Sequence, residues 1–207
     1  MQISWSPAQR FVFITVLFEG GLAAIALVAG WLLGFSPWYG MQLGINDGAH
    51  DFVRLTRDVL WGVFATAPAV LMLMVGDGDR WQPLRAVKDQ VTEMLGRYLR
   101  DATALQLLLI AGFAGFGEEL LFRGLIQAGL AEWLPGPWAL IGSLAVASIL
   151  FGLCHYLSHT YFALATLAGA YFGLLMIVSG SVLPAMVAHA LYDFVALVYL
   201  ASESREG

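Results

Sequence analysis

The chain has 207 residues, of which 59% are hydrophobic and only 12% are charged, whereas soluble domains carry about 25% charged residues. This composition is typical of a membrane protein and argues against a soluble one. The formal net charge of −5 is small and the basic residues are scattered, so the sequence predicts no nucleic-acid surface. A single cysteine excludes an intrachain disulfide.

Apolar segments follow one another along the whole chain, so we expect one membrane domain, residues 1–207, with no separate soluble domain. A spanning helix needs about 20 mostly apolar residues, and the first candidate covers residues 11–35. Residues 36–57 are rich in glycine, acidic and amide side chains and are predicted to form a loop. The second span is predicted at residues 58–75.

The second half of the chain continues this pattern after one polar stretch. Residues 76–83 predict a turn. Residues 84–101 carry apolar side chains at helical spacing and predict an amphipathic helix at the membrane interface, which completes an N-terminal part, 1–101. The fold class predicted is all-α, a polytopic bundle of about six transmembrane helices plus this interfacial helix. The catalytic core part, 102–201, holds the remaining four predicted spans, at 102–134, 138–156, 161–178 and 184–201.

Basic residues near the ends of spans predict the orientation of a membrane protein. The polar stretch after span two favours the cytoplasm because it carries Arg80, Arg85, Lys88, Arg97 and Arg100. Six spans then place both termini in the cytoplasm, although Arg54 and Arg57 in the preceding loop oppose this orientation. The compact chain favours the cytoplasmic membrane of a bacterium.

The segment 116–124, FGEELLFRG, places Glu118, Glu119 and Arg123 within apolar sequence. A charged side chain at the bilayer centre costs about 2.5–3.5 kcal/mol, so these three side chains must face protein or water. On a helix Glu119 and Arg123 lie four residues apart, the spacing of an ion pair. Glu118 points about 100° away from Glu119 and is left free for chemistry, unless all three form a purely structural polar cluster.

Two later spans carry further titratable groups, with Phe151 and His155 four residues apart on span four and His189 and Asp193 four apart on span six. Two histidines and a spare carboxylate supply a general base, a second proton carrier and a group that stabilises negative charge. These are the requirements for attack of water on a carbonyl. Proton or ion transport would use the same residue types, so both functions stay open on spacing alone.

Three spaced motifs in this order resemble the CPBP family, the CAAX-protease and bacteriocin-processing group of intramembrane endopeptidases, also called Abi proteins. The resemblance covers residues 107–196 and is carried by Glu-Glu-x-x-x-Arg, Phe-x-x-x-His and His-x-x-x-Asp, which are Glu118, Glu119 and Arg123, then Phe151 and His155, then His189 and Asp193. It implies a helical core with a conical cavity and cleavage of a peptide bond by water, without a covalent nucleophile.

The resemblance also implies roles for the motif residues. Glu118 would be the general base that activates water, helped by His155. His189 and residue 193 would stabilise the oxyanion, and Arg123 would orient the glutamates. The implied substrate is a membrane-associated protein or peptide within the lipid bilayer, with no nucleic-acid partner.

Position 193 departs from the family pattern, because relatives carry Asn there and an ionised Asp has no N–H to donate. Asp193 is therefore protonated, orients His189 or binds a metal. Glu118, His155, His189 and Asp193 are acceptable zinc ligands in type, so a zinc-dependent protease with these ligands is the alternative. No His-Glu-x-x-His signature is present, and we predict glutamate-based catalysis without a cofactor.

A non-enzymatic alternative is a transporter or scaffold that retains the polar core, but transporters usually carry inverted repeats and this sequence shows none.

Glu19 is an acid within span one without a local partner, which makes it a functional candidate. It lines the substrate entry, contacts Arg123, or is a protonated carboxyl that bonds a neighbouring helix. Residue counts along the predicted spans place His155 at a membrane depth far from that of Glu118. This difference predicts that span four is offset, tilted or broken, or that the topology is different.

Overall fold

The computed structural model describes residues 5–41, 48–76 and 82–206, and every regular element in these residues is helical. The helices are α1 Pro7–Leu33, α2 Gly48–Gly76, α3 Gln82–Leu99, α4 Ala104–Glu119, a π-helical segment Leu120–Gln127, α5 Ala128–Trp133, α6 Ala139–Cys154, α7 His159–Ser179 and α8 Leu183–Glu206. Among the described residues, five helical stretches are long and apolar enough to cross a membrane, and α6 is a shorter apolar helix. The predicted all-α polytopic bundle is confirmed.

The largest difference from the prediction among the N-terminal elements is at the start of α2. The loop predicted at 36–57 is wrong in its second half, because α2 begins at Gly48. The polar residues there form the first turns of a helix, and Asp51 lies in the first turn, where a negative charge is favoured by the helix dipole. The helix predicted within 76–101 is confirmed by α3.

Four helix termini meet at one end of the bundle, which we call the basic end because Arg10, Arg97, Arg100 and Arg205 lie there. The ring of Phe11 in α1 stacks on Tyr98 in α3, with 5.1 Å between ring centroids. The Arg205 guanidinium in α8 donates to the carbonyl of Ala102, just before α4, at 3.0 Å. The N-termini of α1 and α4 therefore lie beside the C-termini of α3 and α8.

The helical stretch Ala104–Trp133 is continuous over 30 residues, with a π-helical segment in its middle. It begins with a capping box, in which Thr103 Oγ1 accepts from the Gln106 backbone and the Gln106 side chain accepts from the Thr103 backbone. It ends at Trp133, ahead of the Pro-Gly-Pro at 135–137. Nothing in the sequence predicted the π-helical turns, which are frequent at functional sites.

Helix α6 ends two residues earlier than predicted, and this explains the depth of His155. Its 16 residues extend about 24 Å, less than the ~30 Å of a bilayer core. Ser158 caps the next helix by accepting from the backbone N–H of Tyr161 at 3.2 Å, so the chain turns back within a few residues. Because of this turn, His155 lies beside the midpoint of Ala104–Trp133 rather than at the basic end.

Two glycines of the segment GFGEE let α1 and α8 approach α4 closely, as small residues do between membrane helices. A Cβ atom on Gly117 would lie 2.3 Å from the backbone carbonyl oxygen of Glu19 in α1. A Cβ atom on Gly115 would lie 2.7 Å from the backbone nitrogen of Ala190 in α8. The two helices that flank the charged motif are therefore held at backbone contact.

This contact predicts that Gly117→Ala destabilises the protein. The added methyl group must displace backbone rather than a flexible side chain, and such overpacking costs about 1–3 kcal/mol. We expect a melting temperature several degrees below wild type in detergent. The matched control is Gly112→Ala in the same helix, whose Cβ would meet nothing within 4 Å and which should leave stability unchanged or slightly raised. Equal melting temperatures for the two variants would contradict this account of the α1–α4 contact.

Candidate active site

The predicted site residues come from three separate parts of the chain and meet in the middle of the bundle. Glu118 is near the end of α4, His155 directly follows α6, and His189 is in the first half of α8. The Glu118 Oε2 atom lies 3.6 Å from His155 Nε2 and 4.0 Å from His189 Nε2. The structure thus places one carboxylate between two imidazole rings.

The hydrogen bonds of His155 define which of its nitrogens faces Glu118. Its Nδ1 lies 2.9 Å from the carbonyl oxygen of Phe151, and a carbonyl can only accept, so Nδ1 carries hydrogen and Nε2 faces the carboxylate. His155 Nε2 lies 3.6 Å from Glu118 Oε2, within the range of an ion pair when the ring is protonated.

Glu119 has two partners, of which the sequence predicted one. Its Oε1 accepts from Arg123 Nη1 at 3.0 Å, which is the expected ion pair within one helix. The same oxygen lies 2.8 Å from His189 Nδ1, which donates to it. This second contact joins residues 70 positions apart on different helices, and no signal in a single sequence could have found it. Its consequence is that His189 Nε2 is turned towards Glu118 and Asp193.

Arg123 is fully buried and holds several elements together from within the π-helical segment. Its Nη2 donates to the carbonyl of Gly169 in α7 at 2.9 Å. Its guanidinium carbon lies 4.5 Å from the ring centroid of Phe151, a cation–π contact that is strongest away from water. Arg123 therefore links the Glu119 carboxylate to α6 and α7.

Two aromatic rings orient the imidazoles by stacking. Phe151 stacks on His155 with ring centroids 4.4 Å apart. Phe172 of α7 stacks on His189 at 4.8 Å, with 13° between the ring planes. The role of Phe172 was not predicted, because one phenylalanine among the many apolar residues of a span carries no signal of its own.

Exposure of the side chains falls from one side of the site to the other. Asp193 and His155 are 29% and 27% exposed, Glu118 is 11% exposed, and Glu119 and Arg123 are not exposed at all. Asp193 Oδ2 lies 3.4 Å from His189 Nε2, a position that fits the role of orienting His189. The site thus has a partly exposed outer edge and a buried floor.

The residues named as alternative zinc ligands, Glu118, His155, His189 and Asp193, lie close together at the site. Within the residues that the structure describes, no group of three or more His, Cys, Asp or Glu side chains is arranged to hold a metal ion. The zinc alternative therefore stays a prediction, to be tested by metal removal.

The arrangement is suited to the activation of water. Glu118 Oε2 is buried and has no hydrogen-bond partner in the described part of the chain, so it can accept a proton from a water molecule. His189 Nε2, on the adjacent side, can stabilise a negative charge that develops on a substrate oxygen. A general base and a charge stabiliser are therefore within a few ångströms of each other.

A family model described as type II CAAX prenyl endopeptidase Rce1-like matches residues 100–195 of the chain. The matched region contains all seven residues of the three motifs and excludes α1, α2 and α3. No curated protein and no solved structure matches the chain at a significant level.

Proposed function

We propose that the chain, of which residues 100–195 match the Rce1-like family of type II CAAX prenyl endopeptidases, cleaves a membrane-associated protein or peptide with water activated by Glu118. The observation that carries this proposal is the Glu118 carboxylate, which lies between His155 and His189 in the middle of a membrane helix bundle. Ionisable side chains held at membrane depth mark functional sites, and a protease that acts on membrane-associated substrates needs such groups there.

The proposed reaction assigns a task to each group of the site. Glu118 takes a proton from water, and the water oxygen attacks the carbonyl carbon of the peptide bond. His189 Nε2 stabilises the negative charge on the carbonyl oxygen, while Glu119 holds the ring through Nδ1. When the carbon–nitrogen bond breaks, the proton passes from Glu118 to the leaving amine, and the ring of His155 keeps Glu118 in place between these steps.

We further propose that the basic end faces the cytoplasm of a bacterial cell, so that both termini are cytoplasmic. The support is the convergence of Arg10, Arg97, Arg100 and Arg205 at the basic end, since basic residues favour the cytoplasmic side. Arg54 and Arg57 lie in the first turns of α2 at the opposite end and are the exception to this pattern. Reporter fusions at each terminus would test the orientation.

The test of the function is a comparison of membrane proteomes from cells with and without the protein. We expect at least one membrane-associated protein to show a new terminus only when the protein is present. Cleavage in water labelled with ¹⁸O should add one labelled oxygen atom to the new carboxyl group. If no terminus depends on the protein, the proposed proteolysis is wrong.

Chelation separates the proposed mechanism from the zinc alternative. We expect the purified protein to keep its activity after treatment with a strong chelator and removal of divalent metals. The matched control is a zinc protease treated in the same detergent and buffer, which should lose activity. Loss of activity in our protein, restored by Zn²⁺, would establish the metal alternative instead.

A further inference from the structure

A buried glutamine in the π-helical segment, outside the three motifs, joins this segment to α7. Gln127 is 1% exposed, and its Nε2 donates to the carbonyl oxygen of Gly173 at 3.1 Å. An amide without a partner is costly in the membrane interior, so this bond holds the two helices together. Four residues earlier, Arg123 donates to the carbonyl oxygen of Gly169 at 2.9 Å. Two donors from one segment therefore bind two carbonyls of the same helix.

The spacing of the two donors matches the spacing of the two acceptors. Arg123 and Gln127 are four residues apart in the π-helical segment, and Gly169 and Gly173 are four residues apart in α7. Four residues of an α-helix rise about 6 Å along its axis. Each carbonyl oxygen has a second lone pair for the bond within its own helix. Helix α7 is thus held at two separate points, which resist both sliding and pivoting.

Glycine at both acceptor positions allows α7 to come this close. A Cβ atom on Gly173 would lie 2.5 Å from Gln127 Oε1, and a Cβ atom on Gly169 would lie 3.1 Å from the Cα atom of Ser148 in α6. Small residues permit such approach between membrane helices. The position of α7 is therefore set by contacts of its backbone.

The residue directly before Gly173 carries this position into the candidate active site. Phe172 is 2% exposed, and its ring stacks on the His189 ring with 4.8 Å between centroids and 13° between planes. The backbone that carries Phe172 is held by the bond at Gly173. A shift of α7 would therefore move the Phe172 ring away from the imidazole.

His189 has two supports that keep its Nε2 in one direction. Its Nδ1 lies 2.8 Å from Glu119 Oε1, but a bond at one ring atom leaves the ring free to tilt about that bond. The nearly parallel ring of Phe172 opposes this tilt. Both supports start from the same helical stretch, because Glu119 acts directly and Gln127 acts through α7.

We propose that Gln127 is a positioning residue for His189, which acts through the Gly173 carbonyl and the Phe172 ring. The proposal rests on the function proposed above, in which His189 stabilises a developing negative charge. Such stabilisation requires a donor that is already aimed at the charge, and a misplacement of about 1 Å lowers rates by as much as about 10²-fold. The effect of Gln127 on the reaction passes entirely through α7.

Nuclear magnetic resonance of the purified protein in detergent tests the position of the imidazole and requires no substrate. The chain contains only four histidines, so labelling histidine rings with carbon-13 gives few signals, and the His189 signal is the one lost in His189→Gln. The ring current of Phe172 acts on the His189 ring protons. We expect their resonances to shift in Phe172→Leu, and to shift in the same direction in Gln127→Met, which keeps an apolar side chain of similar length but removes the donor.

The matched control is Met176→Ala, which removes another buried side chain of α7. Met176 is 3% exposed and packs in a different hydrophobic cluster from Phe172. This variant should melt at a lower temperature but keep the His189 resonances of the wild type. Unchanged His189 resonances in Gln127→Met, or an equal shift in Met176→Ala, would overturn the proposal.

The kinetics of cleavage test the positioning role, with the substrate that the comparison of membrane proteomes identifies. Gln127→Met should lower kcat about tenfold and leave KM within about twofold, because His189 acts on the transition state. Met176→Ala should keep the wild-type kcat at a temperature where both variants are folded. In the double variant with Phe172→Leu, loss of Gln127 should lower kcat no further than Phe172→Leu alone. Independent, multiplying losses would contradict a route through the Phe172 ring.

These measurements separate the role of Gln127 from the proposed function. If Glu118→Gln is fully active, the proposed function fails, and the catalytic role of Gln127 fails with it. If Glu118→Gln is inactive while Gln127→Met keeps the His189 resonances and the kcat of the wild type, the proposed function stands and the proposal for Gln127 falls.

Discussion

Replacement of Glu118 by Gln is expected to abolish substrate processing while the protein still accumulates in the membrane. Gln has almost the same size and shape as Glu but cannot accept a proton from water, and loss of a general base reduces rates by about 10²–10⁴-fold. Stability should be kept, because Glu118 Oε2 has no hydrogen bond to lose among the described residues. The measurement is the rate at which the substrate terminus appears in membranes with equal amounts of each protein.

The matched control for this variant is Glu132→Gln, the same chemical change at an exposed side chain far along the same helical stretch. It should cleave at the wild-type rate. Full activity of Glu118→Gln would remove Glu118 as the base. A loss of activity accompanied by a loss of protein from the membrane would instead identify Glu118 as a structural residue.

Replacement of Arg123 by Met should destabilise the protein more than any other single substitution among the motif residues. The variant keeps a long apolar side chain but removes the donors to Glu119 and Gly169 and the contact with the Phe151 ring. Glu119, which is not exposed at all, would retain only His189 as a partner. Removal of one partner of a buried ion pair costs about 3–5 kcal/mol, which corresponds to a fall in melting temperature on the order of 10 °C.

A second substitution identifies the cause of that loss. In the double variant Arg123→Met with Glu119→Gln, residue 119 no longer carries a charge, and its amide oxygen can still accept from His189 Nδ1. We expect most of the lost stability to return, as measured by thermal unfolding in detergent. If the single variant has the same melting temperature as the wild type, or if the double variant is less stable than the single one, the ion pair does not stabilise the bundle.

The depth of the site in the helix bundle bears on the class of substrate that it can reach. The carboxylate and the two imidazoles lie beside the midpoint of a 30-residue membrane helix, while the outer edge at Asp193 and His155 is partly exposed. Under the proposed function a substrate brings its peptide bond to this depth, which a protein or peptide held at the membrane can do.

Features that depend on near neighbours in the chain were predictable from the sequence. The apolar stretches indicated the helical fold class, because length and hydropathy decide whether a segment can cross a bilayer. The ion pair between Glu119 and Arg123 followed from a spacing of four residues on a helix. The order of the three motifs indicated the family before any geometry was available.

Boundaries that depend on packing were harder to predict. Helix α2 begins ten residues before the predicted span, since polar residues at a helix start resemble a loop when only composition is read. The π-helical segment at Leu120–Gln127 has no sequence signature, although it contains Arg123. The early end of α6 depends on the cap of α7 by Ser158, and it determines the depth of His155.

The sequence by itself determined that this is a helical membrane protein with carboxylate and imidazole groups on separate spans, because hydrophobicity and helical spacing are local properties of a chain. Only the tertiary structure decided that Glu118 lies between His155 and His189, that Glu119 holds His189, and that the Glu19 backbone packs against Gly117. These contacts cross between helices, and their distances depend on how closely the backbones pack. At Gly115 and Gly117 the absence of a side chain lets the helix backbones approach closely. This approach is visible only in the tertiary structure.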